Sequence, residues 1–221
     1  MTAPNPLLKT LKIDFVSDVA CPWCAIGLQS LEMALARVQG EITADIHVQP
    51  FQLNPDMPAE GEDIVEHLSR KYGMSAEQVQ ANQQAIAERG TAVGFEFRMD
   101  RRGRTWNTFD AHRLLHWAGL QGREVPLKHA LLSAYFTDGE NPGDHAVLVR
   151  RAVEAGLDGA AARAMLESDA LVDEVRARLR HWVEAGIHSV PSIIINDRHL
   201  IQGGQPPEVF ERALRRLALQ D

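Results

Sequence analysis

An α/β fold is what this sequence predicts, with a strand–helix–strand unit at its start, a long helical segment in the middle and a strand–strand–helix unit at its end. Three observations carry the prediction. Apolar residues alternate on either side of one helix-spaced stretch within residues 11–50. Helical periodicity then runs almost unbroken from about 63 to 186, and a β-branched run followed by a turn signal returns at 192–202.

The first strand is read from Leu11, Ile13 and Phe15, which alternate, with Val16 following. Cys24, Leu28, Leu31, Leu35 and Val38 recur at helical spacing until Gly40, and Ile42, Ala44, Ile46 and Val48 alternate as a second strand ending near Pro50. Residues 52–62 contain Pro55, Pro58 and Gly61 and read as a connection. Ser75 with Gln78 forms a capping-box signature for a helix ending near Gly90. Further helices are expected over 107–118, 125–137, 144–155, 158–167 and 169–185, with Gly119, Gly139, Gly156 and Gly186 placed to stop four of them. Ser192 to Ile195, the turn Asn196-Asp197, and His199 to Gln202 read as a hairpin. Pro206-Pro207 then opens a last helix that keeps Val209, Phe210, Ala213, Leu214 and Leu217 on one side. The expected division is 1–62, 63–186 and 187–221.

Composition narrows the function. The chain has 221 residues, enough for a sizeable core, and its 45% hydrophobic and 24% charged content is that of a globular protein. A net charge of −7 argues against a general nucleic-acid binder, which needs excess Lys and Arg for phosphates. No apolar run is long enough to span a bilayer, and the first six residues lack a basic segment followed by an apolar one, so a cytoplasmic protein without membrane association is expected.

Cys21 and Cys24 are the only cysteines, which leaves no disulfide framework and points to catalysis or metal binding. A zinc site needs about four ligands and this pair supplies two, so no metal is assigned. On the first turn of a helix, residues three apart share a face and can close a disulfide ring. Free backbone N–H groups and the helix dipole favour a thiolate there, and such sites lower a cysteine pKa from about 8.5 into roughly 3.5–7.5. Cys21 is therefore the expected attacker and Cys24, one turn in, the more buried resolving thiol. Pro22 suits the first helical turn, and Trp23 offers an apolar surface beside the sulfur or simply packs.

A βαβ unit carrying a CxxC and a distant ββα unit resemble the thioredoxin fold, and helices between the halves resemble the DsbA family. Ser189-Val190-Pro191-Ser192 resembles that fold's cis-proline loop. Residues 17–27, Asn107-Thr108-Phe109-Asp110-Ala111-His112-Arg113, Ala134-Tyr135-Phe136 and Gly203-Gly204-Gln205-Pro206 together resemble the FrnE-like, or polyketide-biosynthesis-type, branch of that family. The resemblance covers essentially the whole chain. It implies a thioredoxin-like domain with a large all-helical insertion roofing the cleft, a cis Val190–Pro191 bond beside the sulfurs, and Asn107 and His112 facing the cleft. Relatives with serine in place of the first cysteine, the kappa-class glutathione transferases and 2-hydroxychromene-2-carboxylate isomerases, use glutathione's thiol instead.

Several residues stay open at this level. Asp18 either moves protons or caps the helix start, and Asp14 is a second acid on the other face of its strand. His112 and His116 have a metal-compatible spacing without the acidic residue of His-Glu-x-x-His. His188 sits three residues before Pro191. Residues 98–104 carry four arginines, read as a solvated loop that would select anionic partners if it bordered the cleft. The expected activity is thiol–disulfide exchange with protein or small-molecule thiols and disulfides, needing no cofactor beyond the cysteine pair. Glutathione is open as a co-substrate, as is a homodimer. The alternatives are a glutathione-dependent isomerase or transferase, and a peptide-binding, chaperone-like protein.

Overall fold

The computed structural model describes residues 9–220; the first six residues, read above for a leader, lie outside the described residues. The chain opens with β1 (Lys9–Ser17), α1 (Pro22–Arg37) and β2 (Ile42–Pro50). The middle holds β3 (Glu62–Asp63), α2 (Ile64–Tyr72), α3 (Ala76–Ala92), β4 (Arg104–Thr105), α4 (Phe109–Gly119), α5 (Glu124–Phe136), α6 (His145–Glu154), α7 (Gly159–Leu166) and α8 (Val172–Glu184). It closes with β5 (Ser192–Ile195), β6 (His199–Gln202) and α9 (Pro207–Ala218).

The main sheet has the order β2-β1-β5-β6. β1 pairs parallel with β2, Ile13 opposite Ile46, and antiparallel with β5, Ile13 opposite Ile195. This register decides where the chemistry sits. Because β5 runs against β1, its first residue Ser192 lies opposite Val16, so Pro191 is delivered to the end of β1 from which Cys21 follows. Pro50 lies opposite Ser17 at the same edge.

Leu11, Ile13 and Phe15 face Cys24, Leu28 and Leu31 of α1 and Phe210, Leu214 and Leu217 of α9 in one fully buried cluster. Each such side chain contributes about 1.5–3 kcal/mol by leaving water. Phe95, Phe97, Tyr135 and Phe136 of the insertion join the same cluster, so the inserted helices share the core of the sheet. A second cluster joins Val19 to Leu114, Leu127, Leu131, Leu148 and Met165 of α4 to α7.

Most expected elements form where the periodicity puts them. The Ser75–Gln78 capping box is present at the start of α3. Two features depart. The insertion carries a ribbon, β3 paired antiparallel with β4, because two-residue strands leave no alternating pattern to read. Gly119 is the last residue of α4 and does not make the turn; that falls to Gly122 (φ 65°), as the Arg123 N–H closes back on the Ala118 carbonyl at 2.9 Å. Among the described residues, no helix is long and apolar enough to cross a membrane.

Candidate active site

Cys21 is the residue from which α1 starts, with extended backbone (φ −97°, ψ 114°), and Pro22 occupies the first turn. The start is held by the Cys21 N–H on the Asp18 carbonyl at 3.5 Å and the Cys24 N–H on the Cys21 carbonyl at 3.1 Å. Both cysteines are free thiols. Both are also buried, at 3% exposure for Cys21 and 0% for Cys24, so the expected contrast between them is small in area. The difference lies in what each meets: Cys21 lines a cleft and Cys24 faces the core.

The Val190–Pro191 bond is cis. Cys21 Sγ donates to the Val190 carbonyl oxygen at 3.5 Å, across 169 residues of chain. The Gly203 N–H donates to the Pro191 carbonyl at 2.8 Å, which ties the loop to the end of β6. The Val190 N–H has no partner among the described residues. Gly27 lets α1 approach this loop, since a Cβ there would stand 2.9 Å from Pro191 Cγ. A Gly-to-Ala change inside a helix ordinarily stabilises by about 0.5–1 kcal/mol, but overpacking a rigid ring costs about 1–3 kcal/mol. Gly27→Ala is therefore expected to lower the unfolding midpoint in urea rather than raise it, and a rise would show that the loop yields freely.

The cleft encloses ≈ 760 Å³. Cys21, Trp23, Phe51, Leu53 and Val190 line it from the sheet side, and Ile64, Leu68, Tyr72, Val79 and Ile86 from α2 and α3 form the roof. Trp23 is 36% exposed, with the Arg89 guanidinium 5.4 Å from its ring centre, so it forms cleft wall rather than core. His188 and Ser189 lie on the rim.

Neither Asn107 nor His112 lines this cleft, contrary to the expectation drawn from the resemblance. Asn107 is committed to its own chain: Nδ2 donates to the Met57 carbonyl at 2.8 Å and Oδ1 accepts the Phe109 N–H at 2.9 Å, setting up the start of α4. It borders a separate ≈ 540 Å³ hollow with Asp110, Arg176 and Arg180. His112 is 1% exposed and turned inward to Asp18, with Nε2 at 3.3 Å from Oδ1. Asp18 also accepts the Leu53 N–H at 2.8 Å and the Ala20 N–H at 3.3 Å, so it ties the Cys21 loop to the chain after β2. Asp14 is buried and accepts from Gln49 Nε2 at 2.6 Å.

Behind the cysteines lies a buried polar group. Burial pushes the Asp18 carboxyl up, yet the His112 hydrogen bond and charge, the Leu53 N–H and the Lys128 charge outweigh it and leave the carboxyl below its ordinary value. Burial, together with the hydrogen bond and charge of Cys21, holds the Cys24 thiol well above its ordinary value, while Lys128 pulls it down. Lys128 is fully buried in α5, and its Nζ has no hydrogen-bond partner among the described residues. Burial lowers its pKa against the opposing pull of Cys24, Asp18 and Cys21. Sequence reading missed it. The signal was available: position 128 shares a helical face with Leu131, Leu132 and Tyr135, so a lysine stands where the period asks for an apolar residue.

A CxxC at a helix start beside a cis X–Pro bond, on this mixed four-stranded sheet, defines a dithiol site of the thioredoxin type. The chain belongs to the DSBA-like thioredoxin domain family, matched over residues 12–215, which sets it among the thiol–disulfide oxidoreductases with the expected DsbA-like fold. It is 34% identical to the probable DsbA oxidoreductase SCO1869 of Streptomyces coelicolor, whose crystal structure superposes with a TM-score of 0.84 over 96% of this chain and 91% of that one. The uncharacterized protein YwbO of Bacillus subtilis (strain 168) is 31% identical over 93% of this chain and 96% of its own. The cytosolic disulfide reductase DsbM of Pseudomonas aeruginosa, solved with GSH, shares the fold at 17% identity and a TM-score of 0.64, over 95% of this chain and all of that one.

Proposed function

We infer that the chain exchanges disulfides through Cys21 and Cys24, with Cys21 as the thiol that meets the partner and Cys24 as the thiol that resolves the mixed disulfide. The observation that carries this reading is the position of the Cys21 sulfur, at the cleft surface and 3.5 Å from the Val190 carbonyl, with Cys24 sealed one turn behind it. The unpaired Val190 N–H supports a partner chain lying along the loop, and Pro191 brings no competing N–H to it. The disulfide carries two electrons, so the reaction needs no metal or nucleotide. Protein or small-molecule thiols and disulfides are the partners of this reading, glutathione among them. The cytoplasm is the proposed compartment, because both cysteines belong to the site and neither staples the fold.

Equilibration in glutathione buffers, followed by thiol trapping and tryptophan fluorescence, tests the reading. One reversible two-electron transition is expected. A midpoint near the value of about −120 mV known for DsbA marks an oxidant, and one near about −270 mV, as in thioredoxin, a reductant. If no Cys21–Cys24 disulfide forms across the accessible range, the dithiol reading is wrong.

A further inference from the structure

The stretch 98–104 resolves into arginines with different fates. Arg98 pairs with Asp100, Arg101 donates to the Thr137 carbonyl, and Arg104 donates to the Glu60 and Gly61 carbonyls. Arg102 alone among them is buried, at 7% exposure, and lines the cleft. Its guanidinium lies over Tyr135 and Phe136, 4.9 and 5.1 Å from their ring centres, and its Nε donates to the Tyr135 hydroxyl at 2.9 Å. Among the described residues, it has no carboxylate partner and its two Nη groups have no acceptor. Lys71 adds a second cation to the lining, with Nζ donating to the Leu53 carbonyl at 2.8 Å, and no aspartate or glutamate lines the cleft. In a chain of net charge −7, the formal charges that line this cavity are all positive. A guanidinium held by one nitrogen on an aromatic floor leaves the planar donor edge that suits a carboxylate.

We propose that Arg102 is an anion subsite of the cleft, and that the disulfide exchanged at Cys21 belongs to a small, apolar-bodied molecule bearing a carboxylate. This rests on the dithiol reading above. The roof of Ile64, Leu68, Val79 and Ile86 meets the apolar body, Arg102 takes the carboxylate, and the sulfur is left at Cys21. In the exchange, the Cys21 thiolate attacks one sulfur of the molecule's disulfide, that S–S bond breaks, and one thiolate leaves. Cys24 then gives up its proton and attacks the Cys21 sulfur, releasing the second thiolate. The protein pair is oxidised by two electrons and the small disulfide is reduced by two.

Two aromatic disulfides serve as probes, each compared with itself between wild type and variants: 5,5′-dithiobis(2-nitrobenzoate), which carries a carboxylate on each ring, and the smaller, uncharged 2,2′-dithiodipyridine. Rate constants for oxidation of the reduced protein are compared in the wild type, Arg102→Met and Arg102→Lys. Arg102→Met is expected to slow the carboxylate probe by roughly 10- to 100-fold, the scale of a lost charge-assisted hydrogen bond, and to leave the neutral probe within about twofold. Arg102→Lys is expected to keep part of the preference. Equal losses for both probes would show that Arg102 only supports the Tyr135–Phe136 wall, and an unchanged carboxylate rate would show that the anion does not reach it; either result overturns the proposal. If neither probe oxidises the wild-type pair, the dithiol reading itself fails.

Discussion

Cys21→Ser is expected to reduce disulfide exchange by roughly 10³-fold or more, the scale on which removal of a covalent nucleophile acts. A serine hydroxyl at the start of α1 keeps the geometry but cannot form a disulfide. Cys24→Ser is expected to behave differently. With Cys21 intact at the cleft surface and no thiol one turn behind it, attack on a partner disulfide stops at the mixed disulfide, which intact-mass spectrometry reads as a stable adduct on Cys21. The pair of variants separates the two roles. If Cys21→Ser forms the adduct and Cys24→Ser does not, the roles are reversed, and the burial order of the two thiols has been misleading.

Lys128→Met is expected to make the protein more stable and a slower enzyme. The amine is fully buried with no hydrogen-bond partner among the described residues, and leaving such a group unsatisfied costs about 1–3 kcal/mol, which a methionine of similar shape recovers. The sign of the pH dependence follows from the lowered pKa. The folded chain binds fewer protons than the unfolded chain between the depressed folded value and the ordinary 10.5, so this group's contribution to stability rises with pH through that window. Below the folded value the slope vanishes and the full cost remains. The variant is expected to lose this rise, measured as urea unfolding free energy between pH 7 and 10.5.

The expected slowing acts through Cys24. Its thiol is pushed up by burial and by Cys21, and Lys128 is a positive group pulling it down. Without Lys128 the resolving thiolate is harder to form, and release of the second thiol is expected to slow by roughly tenfold, with the first attack by Cys21 less affected. Stopped-flow separation of the two releases reads this directly. A variant that is less stable, or that slows both releases equally, would assign Lys128 a packing role through its aliphatic stem.

What the sequence alone determines here is local. Alternation around residues 11–16 and 42–50, the spacing of Cys21 and Cys24, the Ser75 capping box and the Pro207 helix start are all written in neighbouring residues, and the structure has them in those places. The ribbon of β3 and β4 is too short to show a period. Only the tertiary structure decides which distant side chains share a space. Asp18 meets His112 across 94 residues, Cys21 meets Val190 across 169, and the antiparallel register of β5 on β1 brings that second pair together. It also turns Asn107 away to start α4, and it sinks Lys128 behind the thiols. Of the arginines in one loop, it chooses Arg102 for the cleft. Sequence period reports which face of an element is buried; which polar groups are buried together, and hence how their charges and protons interact, depends on contacts that no local pattern encodes.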